Sequence, residues 1–223
     1  MPSTRIYLSI LSPKLTEKQL IGAISDVHSL IDGIHLDVMD GKFVENSTLE
    51  WQTPKLLRNL KNSFPNLRYS VHLMVKQPAT YIRRYAAAGA DEIFLHAETV
   101  KFNQIAQIAY KLKKRRVKTG IAINPETGVE NFSRVVDVLD SVLVMSVHPG
   151  KGGQKFILES ANKIKQLSQR FPQLEIAVDG GIDEKHAVLC KIMGAQTLII
   201  GSSILKQKNP FEAAFKIRKT LKA

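Results

Sequence analysis

Cysteine, acidic residues and long apolar runs are all scarce in this 223-residue chain, and each shortage excludes a class of protein. The single cysteine, Cys190, rules out an intrachain disulfide framework. It lies among Ala187, Val188, Ile192 and Met193 in an apolar helical pattern, which marks a core side chain rather than a nucleophile. No apolar run approaches the roughly 18 to 20 residues that span a bilayer, so no membrane partner is expected. The opening Met1-Pro2-Ser3-Thr4-Arg5 leads straight into strand-like Ile6-Tyr7-Leu8 without the apolar region or cleavage site of a signal peptide, and a cytoplasmic location is expected. With no low-complexity tract, Gly/Ser linker or shift in composition, residues 1–223 read as one domain. The 20 acidic side chains face 32 Lys and Arg, a net charge of +12 that raises nucleic acid or an anionic substrate as partner. The densest basic run, Lys113-Lys114-Arg115-Arg116, ends a predicted helix and precedes a strand; it reads as a solvated face, and nucleic acid is disfavoured.

What the chain does have is alternation. Apolar, β-branched runs at 5–10, 33–38, 68–73, 92–96, 117–123, 141–147, 175–179 and 197–200 predict strands. Amphipathic stretches at 16–29, 54–62, 78–88, 102–115, 129–139, 155–170, 184–193 and 210–221 predict helices between and after them. Pro54, Pro78 and Pro210 stand at helix starts, and Gly89 and Gly194 stand where a left-handed residue ends a helix. Eight βα units imply parallel strands, and eight in one modest chain imply closure. The predicted fold is α/β, a single (β/α)8 TIM barrel near the short end of its size range.

One strand breaks the apolar rule. In Ile34-His35-Leu36-Asp37-Val38-Met39-Asp40-Gly41, His35 and Asp37 point to the same face, and burying them without partners costs several kcal/mol, roughly 2 to 7 for even a neutral polar group. In a TIM barrel the active site lies at the C-terminal ends of the strands. There the chain places Ser9, His35, Asp37, His72, His96, Asn124, Ser146 and Asp179, with glycines after strands six, seven and eight. Those glycines expose backbone N–H groups to which an anion such as phosphate can come close. His35, Asp37, His72 and Asp179 can surround one divalent transition metal, for which Zn, Fe, Mn and Co all qualify.

Leu8-Ser-Ile-Leu11, His35-Leu-Asp-Val-Met-Asp-Gly41, Val71-His-Leu-Met-Val75, Val144-Met-Ser-Val147, Pro149-Gly-Lys-Gly-Gly-Gln-Lys-Phe156, Val178-Asp-Gly-Gly-Ile182 and Gly201-Ser202 resemble, in order, the ribulose-phosphate 3-epimerases. The resemblance implies a metal-dependent isomerase of carbohydrate metabolism that interconverts D-ribulose 5-phosphate and D-xylulose 5-phosphate. Asp37 and Asp179 would be the acid/base pair, and His35, Asp37, His72 and Asp179 the ligands of one divalent ion. Ser9 and His72 would contact the substrate under a cover of Met39, Met74 and Met145. Gly150, Gly152, Gly153, Gly180, Gly181, Gly201 and Ser202 would hold its phosphate. A phosphorylated ketose and further copies of the chain are the implied partners.

The chain departs from the family pattern at Leu8, Lys42, Glu45 and Lys151, where Pro, His, Pro and Phe are usual, and none of these removes a ligand or an acid/base residue. Two alternatives stand beside this reading. A D-allulose 6-phosphate 3-epimerase would use the same carboxylates, and Asn124-Pro125-Glu126-Thr127 is similar to that branch. A non-catalytic phosphosugar- or nucleic-acid-binding barrel would have little reason to keep four costly polar side chains facing one cavity.

Overall fold

The computed structural model describes residues 4–11, 15–130 and 134–222. Its strands are β1 (Arg5–Ser9), β2 (Gly33–Met39), β3 (Arg68–Met74), β4 (Glu92–His96), β5 (Lys118–Ile123), β6 (Ser141–Met145), β7 (Glu175–Asp179) and β8 (Thr197–Ile200). Each pairs in parallel with the next, and β8 returns to β1, closing a (β/α)8 TIM barrel. The helices are α1 (Glu17–Val27), α2 (Pro54–Ser63), α3 (Ala79–Ala88), α4 (Phe102–Lys113), α5 (Ser160–Arg170), α6 (Glu184–Met193), α7 (Ser202–Leu205) and α8 (Pro210–Lys222). Thr16 caps α1 through Gln19, Pro54 opens α2, and Gly89 and Gly194 end α3 and α6 in the left-handed conformation expected of them.

Period-two alternation divides the apolar side chains between two cores. Outward residues such as Ile34, Leu36 and Val38 join the layer packed under the helices, where Cys190 is also buried. Inside the barrel lies a smaller cluster that includes Tyr7, Phe94, Ala122, Leu143, Met145, Ala177 and Ile199. Those residues come from every strand except β2 and β3. The inward positions of these two carry His35, Asp37, Ser70 and His72 instead, so the interior is apolar on one side and polar on the other.

Two helix expectations need correction. The stretch 129–139 holds no α-helix among the described residues; Val136–Val138 forms a 3-10 turn, and residues 131–133 lie outside the described residues. Val135, Val136 and Val138 are β-branched and resist helix, yet Val136 and Leu139 still bury against the barrel. The stretch 155–170 becomes helical only at Ser160, because Ile157 N–H is committed to Ser146 O at 2.8 Å and draws 155–159 across the barrel mouth. The unforeseen short helix α7 follows β8.

Candidate active site

Strand register levels the polar residues at one end of the barrel. Ser9 stands beside His35, Asp37 beside His72, and Met145 beside Asp179. One ligand atom from each of His35, Asp37, His72 and Asp179 lies within 4.8 Å of the others. Asp37 Oδ1 sits 3.4 Å from His35 Nε2 and 3.2 Å from His72 Nδ1, while Asp179 Oδ2 is 3.9 Å from His72 Nδ1. The other Asp37 oxygen accepts from Ser9 Oγ at 2.9 Å. Ser146 anchors the far carboxylate's backbone: its N–H donates to Asp179 O at 2.8 Å, and its hydroxyl donates to Gly180 O at 2.6 Å.

The environments drive the two carboxyls apart. Burial pushes Asp179 up to about 7, and the charge of Asp37 adds to the effect. Burial acts the same way on Asp37, but His35 and His72 outweigh it and hold that carboxyl well below the usual range. Asp37 is therefore the stronger acid of the pair and Asp179 the one that releases its proton later as pH rises, the kind of separation that distinguishes base from acid within a pair. Burial lowers His72 to about 4, whereas His35 is raised in spite of burial by the charge of Asp37.

The donor set fits a divalent transition metal. His35 Nδ1 meets Ser70 Oγ at 2.7 Å, and its Nε2, fully buried, makes no hydrogen bond among the described residues. A buried, unpartnered ring nitrogen of this kind, beside a second imidazole and two carboxylates, matches what a metal requires of its ligands.

Next to these groups lies a cavity of about 260 Å³, lined at one end by Ser9, Asp37, Met74, Met145 and Asp179. Its other end is lined by Gly150, Gly152, Gly153, Gly180, Gly181, Gly201 and Ser202. Gly181 is irreplaceable on steric grounds: its φ is +64°, and a Cβ there would meet Phe156 N at 2.4 Å. Met39 is fully buried but is not among the cavity-lining side chains. The loops after β2 and β6 touch across the mouth, where Asn46 Nδ2 donates to Gly150 O at 2.7 Å. Lys151 lies 3.6 Å from Glu45, with both side chains largely exposed.

Sequence reasoning missed four participants: Ser70, Glu98 and Lys206, and the contact role of His96. His96 Nε2 lies 2.8 Å from His72 Nε2, and its Nδ1 lies 2.9 Å from Glu98 Oε2. Their signal was available, since His96 and Glu98 repeat the i, i+2 spacing of His35 and Asp37. Lys206 lines the glycine end of the cavity.

Comparison with known proteins follows the same lines. The model of the Ribulose-phosphate 3 epimerase family matches residues 5–205. The Bacillus subtilis ribulose-phosphate 3-epimerase is 38% identical over 192 residues, covering 84% of this chain and 86% of that one. The cytoplasmic isoform of the enzyme from Oryza sativa subsp. japonica is 33% identical over 193 residues, covering 85% and 82%. Among solved structures, 3-keto-L-gulonate-6-phosphate decarboxylase from Vibrio cholerae superposes with a TM-score of 0.75, covering 99% of this chain and 98% of that one. At 17% identity, that likeness concerns the fold alone.

Proposed function

The chain belongs to the ribulose-phosphate 3-epimerase family, and on that footing we propose that it interconverts D-ribulose 5-phosphate and D-xylulose 5-phosphate by two-carboxylate proton transfer at C3. One observation carries the reading: Asp37 and Asp179 face one cavity, in surroundings that push the acidity of the two carboxyls in opposite directions.

Inverting a carbon next to a carbonyl requires a proton to leave one face and another to arrive at the opposite face. Asp37, ionised and fixed by Ser9, takes the C3 proton; Asp179 delivers its own to the other face of the enediolate. In the reverse direction the roles exchange. His35, Asp37, His72 and Asp179 would hold one divalent ion, Zn, Fe, Mn or Co, which would supply positive charge to offset that of the enediolate. Ser9 lines the cavity and orients the sugar, His72 acts from just behind the lining through Asp37, and Met74 and Met145 cover the sugar with surface that carries no competing proton. Gly150, Gly152, Gly153, Gly180, Gly181, Gly201 and Ser202 hold the phosphate, with Lys206 near the same end of the cavity. Residues 1–223 act in this reading as one barrel domain.

The test is C3 epimerisation of D-ribulose 5-phosphate before and after chelation, with Asp37→Asn and Asp179→Asn assayed alongside. The expected result is loss of about 10² to 10⁴ in rate for either variant, and recovery of the chelated wild type on adding metal. Turnover of D-allulose 6-phosphate in place of the pentulose would move the chain to the hexulose branch; silence with both would leave a sugar-phosphate-binding barrel.

A further inference from the structure

The charged side chains that line the cavity differ in how far they are already engaged. Asp37 and Asp179 are its acids. Of the basic groups, Lys151 Nζ lies 3.6 Å from Glu45 Oε2, and His148 Nδ1 lies 3.3 Å from Glu126 Oε1. Lys206 also lines the cavity, but its ammonium has no hydrogen-bond or ion-pair partner among the described residues.

The chain brings Lys206 there in one helical turn. Ser202 follows β8 and starts α7, and the Lys206 N–H closes the turn on Ser202 O at 3.1 Å. Residues four apart share a helix face, so Ser202 and Lys206 both line the cavity while Ile204 between them is fully buried. The Lys206 side chain reaches across to the loop after β6: a Cβ on Gly153 would sit 3.4 Å from Nζ.

We propose that Lys206 is a specificity-determining residue whose ammonium pairs with the phosphate of the substrate and sets the preference of the cavity for a doubly charged phosphate monoester. The proposal deepens the reading of the glycine end of the cavity as a phosphate site and rests on it.

The argument is one of charge. Backbone N–H groups orient a phosphate but bring no net charge, and the same cavity already holds two acidic side chains. A dianion drawn in beside them is repelled unless a cation stands closer to it than they do. Lys151 and His148 each face a carboxylate of their own, which offsets what they could offer. Lys206 has no such partner, and a point charge on a flexible stem can follow a phosphate whose oxygens are fixed by backbone donors.

Lys206→Met keeps the aliphatic stem and removes the charge from an exposed side chain, so the barrel is expected to fold as wild type. The KM for D-ribulose 5-phosphate is expected to rise about 3- to 10-fold, more than for a surface pair and less than for a buried one. The kcat is expected to stay within about twofold, because the contact is made equally in the ground and transition states. Lys206→Arg should recover most of the loss. Lys208→Met is the control: it removes the same charge from an exposed position that lines a separate hollow with Glu184 and Glu212, and KM should not change.

A second readout needs no turnover. Binding of inorganic phosphate and of singly charged dimethyl phosphate, followed by ³¹P line broadening, should show a preference for inorganic phosphate in the wild type that shrinks in Lys206→Met and persists in Lys208→Met. Wild-type affinity for inorganic phosphate in Lys206→Met, or an equal loss in Lys208→Met, overturns the proposal while the epimerase reading stands. A wild type that turns over neither ketose phosphate, yet binds inorganic phosphate in a Lys206-dependent way, overturns the epimerase reading and leaves the phosphate contact in place.

Discussion

At the N-terminal end of the barrel, opposite the cavity, Glu92 begins β4 as a carboxylate that is only 6% exposed. It accepts a hydrogen bond from Ser141 Oγ, but burial, with a contribution from the charge of Glu175, drives its pKa from 4.5 up to about 7. The folded protein therefore holds this proton more tightly than the unfolded chain does. Its contribution to stability is complete below about pH 4.5 and is lost as pH rises toward 7, with a total of about 3 kcal/mol. Urea unfolding at pH 5 and pH 8 should show that slope in the wild type and a flatter one in Glu92→Gln. At this scale the sequence was legible wherever a polar residue interrupted a buried apolar strand, as at His35, Asp37 and His72. Glu98 repeats that spacing with His96 but lies just past a strand, where a carboxylate is ordinarily solvated; only the fold brings Asn124 N–H, Thr127 Oγ1 and His96 Nδ1 to it.

Among the elements, α5 does more than cover β6 and β7. Through Lys163 it clamps the loop after β5, using one ammonium for three backbone carbonyls. Lys163→Met keeps the aliphatic stem and removes the donors, and should lower unfolding free energy by about 2 kcal/mol, measured by the urea midpoint at constant slope. Strand positions were readable because both-face burial demands apolar runs. Helix limits were less so. Residues 129–139 have the apolar spacing of a helix, but their valines settle for a 3-10 turn that covers the sheet equally well, and 155–159 are held out of α5 by a backbone bond to Ser146.

For the whole molecule, metal binding and stability are linked. An ion that binds only the folded chain at about 100 times its dissociation constant adds about 2.7 kcal/mol. For a chain of this length that corresponds to a rise of about 5 to 10 °C in melting temperature. Calorimetry with and without zinc should show the rise in the wild type and lose it in His35→Ala. The charge of +12 has no comparable anchor at the cavity: the Lys113-Lys114-Arg115-Arg116 run precedes β5 and so lies at the end of the barrel away from the site. No helix among the described residues is long and apolar enough to cross a membrane. The sequence by itself determined the closed eight-unit barrel, the rim on which its polar residues collect and the four groups able to meet a metal. These follow from local periodicity and from the rule that strand ends face one way. Tertiary structure alone decided which nitrogen of each histidine faces the carboxylates, that the acidities of Asp37 and Asp179 are pushed in opposite directions, and that Glu98 meets His96. Those properties depend on distances of about 3 Å between residues far apart in the chain, and on burial that strengthens each contact, neither of which any single segment encodes.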